Sequence, residues 1–157
     1  MIASIIIPTY NRNEFLLDAL QTLASQTYPQ DSFEIIVVDD GSNDGTATVL
    51  AQVALPNLRS IWQHNQGSAA ARNRGALESR GQILIFIDDD MLLEPNYVSG
   101  LVSEHQQHPG AICMGICRPK IDEQKTLFAR TFSQEYYAQV YPENPGAVRF
   151  TDCVTNN

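Results

Sequence analysis

Five apolar runs punctuate the chain, at 3–10, 33–40, 58–63, 82–88 and 111–119. They are continuous rather than alternating, so they predict strands covered on both faces, as in a parallel sheet. Between them the apolar spacing becomes helical. In 11–27, Phe15, Leu16, Leu20, Leu23 and Ala24 fall on one helical face, with Asn11 or Asn13 as the N-cap. Segment 47–55 predicts a short helix. Segment 68–80 predicts another, capped by Ser68 and stopped by Gly81. A fourth helix spans 94–108, with Pro95 in its first turn. Strands alternating with helices at this spacing predict an α/β fold, a doubly wound, mostly parallel sheet with helices on both faces. Beyond residue 119 the pattern weakens to a helix over 122–140 and a loop over 141–148. The 157 residues suit one domain, 1–157, without internal repeats.

In open sheets of this kind, ligands bind beyond the carboxyl ends of the strands. Three clusters fall at such ends: "PTYNR" after the first run, "DDGSNDGT" after the second and "DDDM" after the fourth. The last is the hardest to explain by local structure alone. Three carboxylates directly after "ILIFI" repel one another, and their partial burial is costly without a compensating positive charge. Strand alternation would aim Asp88 and Asp90 at one spot and Asp89 away from it. Two hard oxygen ligands with open positions suit Mg²⁺ or Mn²⁺, with a substrate phosphate completing the shell.

Composition narrows the partners. Ten basic against 18 acidic residues give a formal charge of −8, which argues against nucleic acid as a partner. No stretch of 18 apolar residues predicts a transmembrane helix, and the start lacks a basic signal-peptide region, so a cytoplasmic location is expected. Cys113, Cys117 and Cys153 have no zinc-type spacing, and Cys113 and Cys117 are expected as small buried residues on one strand face. His105 and His108 are expected to cap or solvate a helix end, and Trp62 to pack in the core or on an edge strand.

"IIIPTYNR", "QTYPQDSFEIIVVDDGSNDGT", "NQGSAAARNRGAL" and "GQILIFIDDDMLLEPN" follow one another in order. Together they resemble the nucleotide-binding half of a family 2 glycosyltransferase with the GT-A fold, a Rossmann-like layer. The match covers roughly residues 3–100. The resemblance implies that Pro8, Thr9 and Tyr10 line the nucleoside pocket, with Tyr10 against base or ribose. It implies that Asp40 accepts a hydrogen bond from a pyrimidine N3–H, and that Arg72 lies near the base or phosphates. Asp88 would reach the ribose and a metal-bound water, Asp90 would ligate Mn²⁺ or Mg²⁺, and Asp89 would take a local capping role beside the nucleotide. The implied reaction is metal-dependent transfer, with inversion, from a nucleotide-diphospho-sugar, a UDP-sugar by the pyrimidine assignment. The acceptor would be a saccharide, lipid or other hydroxyl.

The general base of this family lies well downstream of the Asp-x-Asp. Asp122, Glu123, Glu135, Glu143 and Asp152 stand in no convincing motif, so no base is assigned. The expectation is a domain truncated on its acceptor side, with exposed apolar surface that favours a homodimer. A nucleotide-sugar-binding module without turnover is the alternative. A receiver-type phosphoacceptor domain fits less well, because its acid pair follows the first strand and it needs a late lysine. A nucleotidyltransferase would want a Gly-rich basic loop where "PTYNRNE" stands.

Overall fold

The computed structural model describes residues 1–113 and, for the backbone, 116–119 and 152–155. Eleven elements are described. They are β1 (Ala3–Thr9), α1 (Asn13–Ala24), β2 (Phe33–Asp39), α2 (Thr46–Gln52), β3 (Leu58–Trp62), α3 (Ser68–Glu78), β4 (Ile83–Phe86), β5 (Met91–Leu93), α4 (Tyr97–Gln107), β6 (Ile116–Pro119) and β7 (Asp152–Thr155). The first four strands form one parallel sheet in the order β3-β2-β1-β4. The chain winds outward from β1 to β3, then crosses back to place β4 on the other side of β1. That reversal opens a crevice at the carboxyl ends of β1 and β4, the usual ligand position in such sheets.

The continuous apolar runs have the expected cause at the sheet centre. Every residue of β1 and β2 is buried. On one face, Leu16, Leu20 and Leu23 of α1 and Val98, Leu101 and Val102 of α4 pack on Ile5, Ile7, Ile35, Val37 and Ile85. Leu50 of α2 joins the same cluster. On the other face, Ala71 of α3 packs on Ile6, Ile36 and Val38. Gly75 lets α3 come this close, since a Cβ there would collide with the Ile6 side chain. Helices thus cover both faces, as predicted.

The N-terminal edge of the sheet is tied by a buried acid. Glu34 accepts hydrogen bonds from Ser4 Oγ at 2.7 Å, the Arg80 N–H at 2.6 Å and Arg59 Nε at 3.0 Å. Burial alone would push its pKa up, but these donors outweigh burial and hold it below the usual carboxylate range.

Several expected boundaries change. Neither Asn11 nor Asn13 caps α1. Arg12 is the N-cap residue and its side chain makes no cap bond, while Asn13 binds Asp44 through its N–H at 3.1 Å and its side-chain amide at 2.8 Å. Ser68 is the first residue of α3 rather than its cap, and α3 ends with Ser79 as C-cap, before Gly81. The buried stripe of α1 is Leu16, Ala19, Leu20 and Leu23, whereas Phe15 and Ala24, both expected on it, are exposed. The fourth strand ends at Phe86 instead of 88. It is covered on one face only, with Leu84 and Phe86 exposed. Among the described residues of the run at 111–119, strand covers Ile116–Pro119 and does not include 111–113. That strand lies in a second sheet, β5-β7-β6, in which β6 is parallel and β5 antiparallel to β7. Cys113 therefore precedes the strand and packs half-buried against the core; the Cys117 and Cys153 side chains, and the helix at 122–140, lie outside the described residues. Trp62 is exposed on edge strand β3 and meets the His64 ring edge-on at 4.7 Å. No helix among the described residues is long and apolar enough to cross a membrane.

Candidate functional site

The crevice at the switch point is a pocket of about 240 Å³. Pro8, Thr9, Tyr10 and Arg12 line it from the end of β1, and Asp40 from the end of β2. Ser68 and Arg72 face it from the first turns of α3, and Asp88, Asp89 and Asp90 from the turn after β4. All eight residues singled out from the sequence converge here. Tyr10 is exposed at the rim, and Thr9 is buried.

Asp40 is 3% exposed, and its carboxylate organises the far wall. Oδ1 accepts from Gln63 Nε2 at 2.7 Å and from the Gln66 N–H at 2.9 Å. Oδ2 accepts from the Gly67 N–H at 2.8 Å. Gly67 sits at φ +88°, a left-handed conformation that suits glycine and turns its N–H toward the acid. Burial would raise the Asp40 pKa, but the three donors outweigh burial and lower it. A carboxylate offers about four acceptor positions, and these donors fill three of them.

The triplet does not follow strand alternation. It lies in the turn between β4 and β5, and all three acids face the pocket. Asp89 is therefore not turned away, nor is it a helix or turn cap. It is buried, with Oδ2 accepting from Thr9 Oγ1 at 2.8 Å and Oδ1 3.3 Å from Arg12 Nη1. Asp90 Oδ2 meets Arg12 Nη2 at 2.8 Å. Asp88, more open, pairs with Arg72 Nη2, and Arg72 lines the pocket. Burial raises the Asp89 pKa, and neighbouring Asp90 and Asp88 add to that; Thr9 and Arg12 offset only part of it. For Arg12, burial acts to lower the pKa, but Asp90, Asp89 and Asp88 together outweigh it and raise it.

The positive charge that the triplet requires is thus already present in the chain, as Arg12 and Arg72. Arg12 was not expected as a site residue. Its only signal was its place in "PTYNR", and nothing in the spacing links it to acids 77 and 78 positions later. Ser68, Gln63 and the Gly67 N–H were likewise missed, because the 63–67 loop acquires its role only by folding over Asp40.

The donor set suits a hard divalent cation, since three carboxylates open to one small polar pocket. Among the described residues no group of three or more His, Cys, Asp or Glu is placed so as to hold a metal ion; a cation bound here would therefore draw no more than two such ligands from these residues and the rest of its shell from substrate oxygens.

The model for "Glycosyl transferase family 2" matches residues 4–153. The chain is 34% identical over 142 residues to the uncharacterized glycosyltransferase YfnE of Bacillus subtilis, covering 89% of this chain and 35% of that protein. It is 36% identical over 118 residues to validoxylamine A glucosyltransferase of Streptomyces hygroscopicus subsp. limoneus, covering 73% and 26%. Among solved structures it resembles S. aureus TarS 1–349 in complex with UDP-GlcNAc, with a TM-score of 0.66 and 25% identity over 81% of this chain and 37% of that one. It also resembles the mannosyltransferase PcManGT of Pyrobaculum calidifontis in complex with GDP-Man and Mn²⁺, with a TM-score of 0.60 and 26% identity over 64% and 31%. The chain spans well under half the length of these relatives. With a mostly parallel α/β sheet, the crevice at its switch point and a family match along nearly its whole length, the chain belongs to glycosyl transferase family 2 and has the GT-A fold.

Proposed function

We propose that the pocket binds a UDP-sugar together with Mn²⁺ or Mg²⁺, and that the protein transfers the sugar to an acceptor hydroxyl with inversion. The observation that carries this reading is the convergence of Asp40, Arg72 and the acid triplet on one crevice. The TarS complex with UDP-GlcNAc supports the same donor class. Asp40 holds the 63–67 loop and keeps one acceptor position for the N3–H of uracil, a charge-assisted bond. Thr9 fixes Asp89, and Tyr10 supplies an aromatic wall at the rim. Asp90 and Asp88 would hold the cation, which when bound supplies charge neutralisation for the leaving diphosphate. Arg72 would meet the negative charge that grows as the anomeric C–O bond breaks. The acceptor oxygen forms the new bond from the opposite face, and its proton passes to a carboxylate base. No described residue is assigned that role.

Calorimetric titration with UDP-sugars, in the presence and absence of Mn²⁺, tests the reading. Binding of UDP-sugars that needs Mn²⁺, and that Asp90→Ala removes while the circular dichroism spectrum is kept, is the expected result. No binding of any nucleotide sugar at millimolar concentration, with or without metal, would overturn it.

A further inference from the structure

Arg12 stands where no function has yet been given to it. Its two terminal nitrogens bridge two carboxylates, Nη2 to Asp90 at 2.8 Å and Nη1 to Asp89 at 3.3 Å. The planar fork of a guanidinium suits such a bridge, and a lysine could not reproduce it. Asp89 is pinned from its other oxygen by Thr9 at 2.8 Å. The Arg12 guanidinium also lies 4.8 Å over the ring of Phe15, one helical turn on, so its long side chain has an apolar shelf beside the pocket. Its side chain is 37% exposed against 11% for that of Asp90, which leaves it room to swing outward. The backbone that aims it is specialised too. Asn11, directly before it, adopts φ +54° and is held by Ser42 and Asn43 at 2.9 and 2.7 Å.

We propose that Arg12 is a built-in counter-ion of the acid triplet, with which a divalent cation competes for Asp90 when the donor binds. The proposal rests on the metal reading above. A divalent cation on the remaining lone pair of Asp90 Oδ2, at about 2.0–2.2 Å, would stand only about 4 Å from the guanidinium nitrogen that donates to the same oxygen at 2.8 Å, so the two positive centres repel each other. Without metal, Arg12 keeps three close carboxylates from repelling one another. With metal, it leaves Asp90 and gains the donor diphosphate as an alternative partner. Arg12 thereby couples metal and donor. The cation alone competes with it, whereas cation and diphosphate together satisfy both the acids and the arginine. Arg12 is a positioning residue in this scheme.

The test is Mn²⁺ binding to the apo protein, followed by the electron paramagnetic resonance signal of free Mn²⁺, in wild type, Arg12→Gln and Arg12→Lys. Arg12→Gln should bind Mn²⁺ alone about tenfold more tightly, a difference of about 1.4 kcal/mol. It should melt at lower temperature than wild type without metal and recover part of the loss with Mn²⁺. It should also lose most of the enhancement of Mn²⁺ affinity that UDP produces in wild type. A merely structural arginine would not raise metal affinity when removed. Arg12→Lys, which keeps the charge but not the fork, should fall between the two and serves alone if Arg12→Gln does not fold. Mn²⁺ affinity unchanged or weakened in the variants, with wild type binding Mn²⁺ and UDP, would overturn the Arg12 proposal and leave the metal reading intact. No Mn²⁺ binding to any of the three proteins, even with UDP, would overturn both.

Discussion

At the scale of single residues, Asp40 holds the 63–67 loop through three hydrogen bonds, and under the proposed function the same carboxylate also receives the base. Its three donors include two backbone N–H groups, which cannot turn away. Asp40→Asn would place an amide NH₂ against at least one of them. Leaving buried donors unmatched costs about 1–3 kcal/mol, so chemical denaturation should show a loss of that size. Base choice should suffer as well: wild type should favour UDP over CDP, whose N3 is an acceptor facing a carboxylate, and the variant should lose that preference. Equal binding of UDP and CDP by wild type would remove Asp40 from base recognition. The same residue scale sets the acid response. Glu34 and Asp40 have lowered folded-state pKa values, so their stabilisation is full above their unfolded values and is lost as pH falls through the folded ones. Asp89 is raised, so it works in the opposite sense and costs stability as pH rises past its unfolded value. Asp44, held by Thr46 and the Asn13 N–H, is lowered as well, so three lowered acids stand against one raised, and melting temperature should fall below about pH 4. Glu34→Gln should flatten that fall; an unchanged slope would show that Glu34 does not carry it. From sequence, Asp40 was legible as an acid at a strand end, but its donors were not, because a loop makes its backbone partners only once folded.

At the scale of elements, Gly75 decides how α3 seats on the sheet. Helix propensity alone predicts that Gly75→Ala stabilises by about 0.8–1.0 kcal/mol. The added methyl would instead meet Ile6, whose β-branched side chain on a central, fully buried strand has little freedom to yield. Overpacking of this kind costs typically 1–3 kcal/mol, so the net expectation is destabilisation, read as a lower urea midpoint with an unchanged m-value. A higher midpoint would show that α3 can shift outward. The central strands were legible because burial on both faces makes them apolar over Ile5–Ile7 and Ile35–Val38, with their polar positions, Ser4, Thr9, Glu34 and Asp39, confined to the ends. The ends were not. "ILIFIDDD" continues its apolar run past the last ladder partner, so periodicity carried the strand to 88 although pairing stops at Phe86. The alternation argument for Asp88 and Asp90 failed for the same reason: a turn does not keep a period of two, and it brings Asp89 into the pocket with its neighbours. The short β5 was hidden in "MLLEPN", since three residues carry no period, and it needs β7, from the far end of the chain, as its partner.

At the scale of the whole molecule, charge sets what the pocket can accept. The protein carries a formal −8, but at physiological salt charges beyond about 8 Å are largely screened. The local balance therefore governs, and it too is negative: four carboxylates against the guanidiniums of Arg12 and Arg72. A nucleoside diphosphate is itself an anion, so it meets repulsion unless a divalent cation enters with it. The pocket is assembled from the ends of β1, β2 and β4 and the start of α3, segments far apart in the chain, so the unfolded protein offers no equivalent site. Binding should then appear directly as stability. UDP with Mn²⁺ at about 100 times its dissociation constant should add about 2.7 kcal/mol, a rise of roughly 5–10 °C in melting temperature for a chain of this size. UDP alone should give almost no shift, and Mn²⁺ alone a small one, because Arg12 and Arg72 already occupy the acids. Raising sodium chloride from 0.05 to 0.5 M should reduce the combined shift far less than chelating the metal does, since the decisive charges lie within a few ångströms of one another. A shift with UDP alone that equals the shift with UDP and Mn²⁺ would mean that the two arginines suffice for the diphosphate and that the carboxylates need no cation.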